Sequence, residues 1–277
     1  IHVQPGYQLL AVNGLPVTRE QSPGERFLGL AGQKVALTIS DGEAEWNVAV
    51  TLISNEMPAR LREWINTTTA YVHERTGGRV GYLYMQDMGT TGFSQFFRAW
   101  LAESYREAVI VDVRNNGGGH VSSLLLERLT RRRLGFEVGR YTPPVPTPPY
   151  CVRGPVVALC DEFSGSDGDL FAHKFKSLKL GTLIGRRTWG GVVGIAPTHG
   201  LVDGTVVTQP EFYHYFDDVG WDLENNGAVP DIVVDFPPET VARGGDPQLD
   251  RAIQVILDQL EAMPPAPKLT LHPRKSI

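Results

Sequence analysis

The run AVIVDVRNNGGG at residues 108–119 decides the fold of this chain. It begins with apolar residues, as does a strand that is buried on both faces of a parallel sheet. Its three glycines leave the backbone N–H groups open, because no side chain obstructs them. A helix predicted over residues 121–131 adds partial positive charge beside these N–H groups. The stretch therefore predicts a strand, an anion-stabilising loop and a helix in direct succession.

A second informative stretch, FSGSDGD at residues 163–169, follows the apolar run PVVALC at residues 155–160. It places Ser166 between a predicted strand and a helix predicted over residues 168–178. A serine on a strand-to-helix turn, next to an anion-stabilising loop, is the arrangement that acyl transfer needs. The alternative is that Ser166 only caps the helix, because serine before Asp-Gly-Asp is favourable N-cap chemistry.

The glycine run at residues 117–119 could also form a simple tight turn or a phosphate cradle. Neither the lysine of a P-loop nor the GxGxxG spacing of a dinucleotide site accompanies it. A phosphate cradle is therefore excluded, and a tight turn stays open on the residues alone.

Outside these two stretches, predicted helices and strands alternate along most of the chain. This order predicts an α/β fold with a largely parallel sheet that is covered on both faces. The remaining predicted elements are a helix over 57–73, a strand over 79–84, a helix over 92–105, a Pro-rich linker over 143–155, a strand over 182–185 and a helix over 247–260.

The first residues predict a small β-domain of their own. A strand that ends in Asn13-Gly14 is typical of a hairpin. A short helix is predicted over residues 24–30, and alternating strands over residues 34–40 and 45–52.

Composition excludes several classes of protein. The chain has 277 residues, 42% of them hydrophobic, which is enough for a large buried core. A net charge of -5 argues against nucleic acid or an anionic membrane as the main partner. The basic run 131–133 is interpreted as a cap at the end of a helix. No apolar run is long enough to span a bilayer.

No cofactor or metal is predicted. The pair Asp217-Asp218 lacks accompanying residues at metal-ligand spacing. Cys151 and Cys160 are the two cysteines of the chain, and we expect both to be free thiols in a reducing compartment.

Four motifs in order resemble the C-terminal part of the tricorn family of serine peptidases, which is related to the tail-specific peptidases. The run LLAVNG at residues 9–14 resembles the second half of a PDZ domain. The resemblance implies a crotonase-like β-β-α core with a partial PDZ-like domain at 1–55, a catalytic α/β domain at 56–265 and a tail at 266–277. The four motifs are VDVRNNGGG (111–119), SDGD (166–169), GRRTWGGVVG (185–194) and ENNGAVPD (224–231).

The resemblance also implies roles for individual residues. Ser166 matches the nucleophile. The backbone N–H groups of Asp167 and Gly119 match the oxyanion donors. Gly117 and Gly118, together with Gly119, would line the backbone of the substrate.

Glu224 matches the acidic residue that orients a histidine base; the alternative is an exposed loop carboxylate. The tail-specific relatives use a lysine base in the glycine loop, and the run TWGG at residues 188–191 offers none. The family arrangement places the base histidine upstream of the PDZ domain. We therefore expect this chain to be the C-terminal fragment of a longer protein, and we assign the base to none of its seven histidines.

For the substrate, the resemblance implies short peptides released by a proteasome-like protease. Glu137 matches a position at which the family carries an acidic group facing the first specificity pocket, so it predicts a preference for Lys or Arg before the scissile bond; the alternative is a surface glutamate. The family further implies a cytoplasmic homohexamer, with aminopeptidases acting downstream.

Two alternatives belong to other functional classes. A non-catalytic peptide-binding or assembly module could use the same loop and PDZ remnant. An acyl-CoA enzyme of crotonase type could use the glycine loop to polarise a thioester, although such an enzyme needs neither a Ser-Asp-Gly turn nor a PDZ domain. Covalent labelling by a fluorophosphonate distinguishes these possibilities.

Overall fold

The computed structural model of the chain describes residues 3–196, 198–266 and 268–270. The chain divides into two compact units, Ile1–Trp64 and Ile65–Ile277, which are described separately. The predicted domain limits at residues 55 and 265 stay a prediction, and most of the predicted tail lies outside the described residues.

The first unit contains a four-stranded antiparallel sheet in the order β2-β1-β3-β4. Asn13 and Gly14 both have positive φ, 50° and 78°, which is the backbone of a type I′ hairpin turn. The predicted helix over 24–30 spans Pro23–Phe27 in the structure. A Ser22–Glu25 capping box starts it, and Gly29, with a φ of 73°, follows its C-cap Leu28 and ends it. The elements are β1 (Gln8–Val12), β2 (Leu15–Pro16), α1 (Pro23–Phe27), β3 (Lys34–Ser40) and β4 (Glu45–Thr51).

The second unit is an α/β fold, preceded by α2 (Met57–Arg75), which starts in the first unit and ends in the second. Its elements are β5 (Val80–Tyr84), α3 (Thr90–Glu103), β6 (Ala108–Asp112), α4 (Ser122–Thr130), β7 (Gly135–Glu137), β8 (Val145–Thr147), β9 (Val156–Cys160), α5 (Asp167–Ser177), β10 (Thr182–Gly185), β11 (Gly194–Ile195), β12 (His199–Gly200), β13 (Val206–Val207), β14 (Pro210–Phe212), β15 (Ile232–Val233), α6 (Pro238–Ala242) and α7 (Pro247–Ala262).

A five-stranded sheet in the order β15-β10-β9-β6-β5 forms the centre of this unit. All of its pairings are parallel, so the prediction of a parallel sheet is confirmed. Every residue of β5, β6 and β9 is buried. Alternate residues of β6 face opposite sides of the sheet. Val109 and Val111 join the core that contains Phe171 of α5 and Trp100 of α3, and α7 packs against β6, β9 and β10.

The strand order brings the two decisive stretches together. β6 pairs directly with β9, the glycine loop follows β6, and Ser166 follows β9. Loops at the carboxyl ends of neighbouring parallel strands lie side by side, which is where open α/β sheets bind ligands.

A buried ion cluster fixes the end of β6. Asp112 is fully buried and accepts hydrogen bonds from the Tyr82 hydroxyl (2.7 Å) and from Arg114 Nη2 (2.6 Å). Arg114 also donates to both carboxylate oxygens of Asp246, each at 2.9 Å. Asp246 is in turn the N-cap of α7 and accepts from Leu249 N. The cluster therefore ties the first turn of α7 to the strand that precedes the glycine loop.

The predicted linker over 143–155 is wrong in part, whereas the predicted cap at the basic run 131–133 is confirmed. The segment 143–155 is more than a linker, because its β8 pairs antiparallel with β7. A proline within β8 is tolerated because a two-stranded ribbon leaves N–H positions outside the ladder. The predicted helix cap is confirmed at Arg132, whose Nη1 donates to Leu129 O at 2.9 Å. Both cysteines are free thiols.

None of the helices in the described residues has the length and apolar character needed to cross a membrane.

Candidate active site

Ser166 occupies a strained turn between β9 and α5. Its backbone has φ 53° and ψ −119°, a region that residues other than glycine rarely adopt and that is common at functional sites. Ser166 stands at the N-cap position of α5, but its side chain makes no cap hydrogen bond. Helix capping therefore does not explain why a serine occupies this position. The geometry is that of a nucleophile turn, which presents a hydroxyl at the top of a sheet.

The glycine loop lies directly against this turn. A Cβ built on Gly118 would be 2.5 Å from Ser166 Cβ and 2.9 Å from Asp167 N. Asn116 holds the two loops together, because its carbonyl oxygen accepts from Gly165 N at 2.8 Å. Its side chain donates to Met85 O (2.9 Å) and accepts from Gly118 N (3.0 Å). The loop and the serine turn therefore form one unit.

We expect Gly118→Ala to displace the serine turn. The new Cβ would overlap Ser166, and the φ of 99° at Gly118 disfavours any other residue. Steady-state kinetics should show a fall in kcat of about a hundredfold, the loss typical of a disturbed oxyanion site. Gly117→Ala is the matched control for stability, because a Cβ there meets nothing within 4 Å. Unchanged kcat in Gly118→Ala would contradict the assigned geometry.

A cavity of about 370 Å³ opens beside Ser166. Three of the residues predicted for the site line it together, namely Ser166, Asp167 and Gly119. Its other lining residues are His120, Ser122, Ser123, Leu170, Lys174, Val192, Gly194, Ile195, Phe212 and His214.

Glu224 supports the wall of this cavity from behind. Its Oε2 accepts hydrogen bonds from Val192 N (2.7 Å) and Val193 N (2.8 Å), and Val192 is one of the lining residues. Glu224 is half-buried, so it is not the exposed loop carboxylate of the alternative interpretation. A carboxylate that accepts two backbone N–H bonds fixes the segment that carries them.

The motif at residues 185–194 is hydrogen-bonded to α5. Asp169 is fully buried, and its Oδ1 accepts from Gly190 N at 2.8 Å. Burial raises the pKa of Asp169, and hydrogen bonds, first among them one from Thr188, oppose that rise. The Trp189 ring lies over Gly165, 2.8 Å from the position of a built Cβ. All four sequence motifs thus meet around the serine turn.

Glu137 lies elsewhere in the fold. It is exposed in β7, where it pairs with Val145, and it is not among the residues that line the cavity. Its predicted role in selecting Lys or Arg stays a prediction.

A polar chain on the cavity wall was not predicted from the sequence. The Asp167 carboxylate accepts from Ser122 N (2.9 Å) and from the Ser122 hydroxyl (2.5 Å). Lys174 Nζ donates to Ser122 Oγ (3.3 Å) and Ser123 Oγ (3.2 Å). Burial lowers the pKa of Lys174, and the nearby charge of Asp167 opposes this. No sequence motif at Ser122, Ser123 or Lys174 indicated that these side chains would be hydrogen-bonded to one another.

The described histidines fall into two groups. His73, His173 and His199 each contact a carboxylate. His120 and His214 line the cavity and, within the described part of the chain, form no ion pair with a carboxylate. His2 and His272 lie outside the described residues.

His214 packs against aromatic rings, with centroids 5.6 Å from Phe212 and 6.3 Å from Phe216. Burial lowers its pKa, and the positive charge of Lys174 lowers it further. The side chain therefore favours the neutral form.

The sequence matches two family models that cover most of the chain. Residues 79–234 match Peptidase family S41, and residues 1–55 match the Tricorn protease PDZ domain. The chain therefore belongs to peptidase family S41, a family of serine peptidases, and the predicted resemblance to tricorn proteases is confirmed.

Individual relatives agree with this assignment. The chain is 42% identical over 257 residues to the tricorn protease of Thermoplasma volcanium, covering 92% of this chain and 25% of that protein. It is 44% identical over 267 residues to tricorn protease homolog 1 of Streptomyces coelicolor, covering 95% and 25%. Its structure is similar to the crystal structure of the tricorn protease, with a TM-score of 0.90 and 40% identity over 92% of this chain and 25% of the other. The chain thus spans about a quarter of the length of these relatives.

Proposed function

We propose that this chain contributes the nucleophile and the oxyanion site of a peptidase that forms an acyl-enzyme on Ser166. The observation that carries the proposal is the contact between the glycine loop and the strained serine turn at one cavity. Gly119 and Asp167, whose N–H groups are the proposed oxyanion donors, line that cavity with Ser166. Gly117 and Gly118 are proposed to run along the substrate backbone.

The proposed reaction follows the general course of acyl transfer. The Ser166 hydroxyl attacks the scissile carbonyl carbon while a base takes its proton, and the carbonyl oxygen becomes an oxyanion held by the two N–H groups. The base then gives the proton to the leaving amine, and water hydrolyses the ester on Ser166. The prediction that the base histidine lies upstream of this chain stays a prediction.

Glu224 is proposed to act as a positioning residue that orients the base. Glu224→Gln keeps an oxygen for the N–H groups of Val192 and Val193 but removes the charge. We expect a loss of kcat of about ten-thousand-fold, as when a triad carboxylate becomes an amide, with the melting temperature preserved. If Glu224→Gln retains kcat while Glu224→Ala loses it, Glu224 holds only the loop and the proposed role is wrong.

Fluorophosphonate labelling tests the proposal as a whole. The full-length protein that carries this sequence should react, and mass spectrometry should find the adduct on Ser166. A non-catalytic peptide-binding module would bind peptides without reacting, and a crotonase-type acyl-CoA enzyme would bind acyl-CoA instead. Because His120 and His214 line the cavity, labelling of His120→Ala and His214→Ala tests whether either one is the base.

Further details of the proposal rest on the similarity to tricorn proteases. We propose a crotonase-like β-β-α core, short peptides from a proteasome-like protease as substrates, and action in the cytoplasm as a homohexamer with aminopeptidases downstream. Light scattering of the full-length protein measures the proposed hexamer directly. A monomer at micromolar concentration would contradict it.

A further inference from the structure

The two proposed oxyanion donors belong to different elements of the fold. Gly119 closes the glycine loop before α4, and Asp167 is the first residue of α5. Within the described residues no carbonyl group accepts from the backbone N–H of either one. At Gly119 this follows from a bridge to Met88, which bonds the flanking groups Gly118 O (2.8 Å) and His120 N (2.7 Å) and so leaves the N–H between them pointing away. The spacing of the two donors is therefore not fixed by one secondary-structure element.

The Asp167 side chain ties these two elements together. Its carboxylate accepts from Ser122 N (2.9 Å) and from Ser122 Oγ (2.5 Å), and Ser122 is the first residue of α4. Val121, at the N-cap position of α4, makes no side-chain cap hydrogen bond. Asp167 takes the place of that cap and satisfies an N–H group that the start of a helix leaves unpaired. The side chain thus fixes its own backbone to the helix that follows Gly119.

Lys174 is connected to this carboxylate through Ser122. Asp167 and Lys174 are two helical turns apart on α5 and therefore lie on one face of it. Lys174 Nζ donates to Ser122 Oγ at 3.3 Å, which leaves the single hydroxyl proton of Ser122 for Asp167 Oδ1. The positive and the negative charge are thus joined by two successive hydrogen bonds.

Without a compensating charge, the Asp167 carboxylate would oppose the proposed reaction. Its side chain is buried, and the backbone N–H of the same residue is a proposed oxyanion donor. Negative charge therefore lies close to the oxygen that becomes negative in the transition state. Like charges repel strongly where water is excluded. Lys174 offsets this repulsion without having to contact the substrate.

We propose that the Asp167 side chain is a positioning group that sets the spacing of the two oxyanion donors through Ser122, and that Lys174 neutralises its charge. The inference rests on the proposed acyl transfer at Ser166. It gives Lys174 neither the role of the base nor a contact with the peptide. Substitutions in this group should therefore weaken binding of the transition state and leave binding of the substrate unchanged.

Asp167→Ala tests the positioning role, because it removes the side chain and keeps the backbone N–H. In the full-length protein kcat should fall about a hundredfold, the loss expected when a reacting group is misplaced by about 1 Å, with KM unchanged. Asp167→Asn should keep most of the activity, since its amide oxygen still accepts from Ser122.

Peptidyl trifluoromethyl ketones provide the readout that a merely structural role would not move. A serine hydroxyl adds to the ketone carbon, and the ketone oxygen becomes the oxyanion of a tetrahedral adduct. The inhibition constant should rise in Asp167→Ala by the same factor by which kcat/KM falls. A loss of kcat/KM with an unchanged inhibition constant would overturn the proposal.

A double-mutant cycle isolates the charge compensation. Lys174→Met should lower kcat about tenfold in the natural sequence, but hardly at all when combined with Asp167→Asn, because no carboxylate is then left to neutralise. Lys179→Met is the matched control, because Lys179 is exposed just beyond the end of α5. Equal losses from Lys174→Met in both backgrounds would show that Lys174 acts independently of Asp167, and would overturn its assigned role.

Ser122→Ala keeps the proposal testable if Asp167→Ala does not fold. It removes the hydroxyl and keeps the bond from Ser122 N to Asp167, and its melting temperature is the fold check. We expect kcat to fall about tenfold and the affinity for the ketone to fall by the same factor. Natural values of both would overturn the proposal. If the natural protein neither hydrolyses peptides nor forms the ketone adduct on Ser166, the proposed function itself is wrong.

Discussion

Replacing Ser166 with alanine should lower kcat for peptide hydrolysis about a million-fold, the loss typical of removing a serine nucleophile. The hydroxyl has no structural task that would complicate this result, because it makes no cap hydrogen bond to α5. The free energy of unfolding should therefore stay close to that of the natural protein. Steady-state kinetics on the full-length protein measures kcat, and urea unfolding followed by circular dichroism measures the free energy of unfolding.

The strain at this position supplies a second readout. A glycine adopts φ 53° and ψ −119° more easily than any other residue, so Ser166→Gly should unfold at a higher temperature than Ser166→Ala. Ser177→Ala, on the same helix but away from the cavity, is the control for activity. If Ser166→Ala keeps even a hundredth of the kcat, another residue is the nucleophile.

The largest expected effect on stability comes from Arg114→Leu. Removing the guanidinium leaves the fully buried Asp112 with an uncompensated charge and takes the partner from Asp246. Breaking a buried ion pair from one side costs about 3–5 kcal/mol. Urea unfolding of the chain should show a loss of this size.

The exposed Arg186 provides a matched control. It pairs with Glu162 at 2.8 Å and Asp235 at 3.6 Å, but both of these contacts are open to solvent. Exposed pairs contribute about 0–1 kcal/mol, so Arg186→Leu should change the free energy of unfolding by no more than that. Similar losses in the two variants would show that burial of the Asp112 cluster is not the cause.

The central sheet was predictable because its strands are continuous apolar runs. Residues 108–112 and 156–160 are buried throughout, and burial on both faces leaves few choices other than a covered parallel sheet. The short ribbons were not predictable. Strands β7 and β8 have three residues each, which is too short for an alternating pattern to stand out, and a segment with several prolines is typical of a linker.

Part of the candidate site could likewise be predicted from the sequence, and part could not. Ser166 and the glycine loop carry their own local patterns, since a turn that needs special backbone angles restricts the residues that can form it. Lys174 carries none, because a single lysine on a helix has the same sequence appearance whether it faces water or a cavity. Its partner Ser122 lies 52 residues earlier, and only the packing of α4 against α5 brings the two together.

Asn116 joins its own loop, in which Gly118 N donates to its side chain, to two segments that are distant in sequence, through Met85 O and Gly165 N. The glycine loop cannot be transplanted from another peptidase as a separate module, because the incoming loop would have to match two foreign strand ends at once. Successful grafts should carry all three segments together, and libraries that randomise the loop alone should yield few active clones.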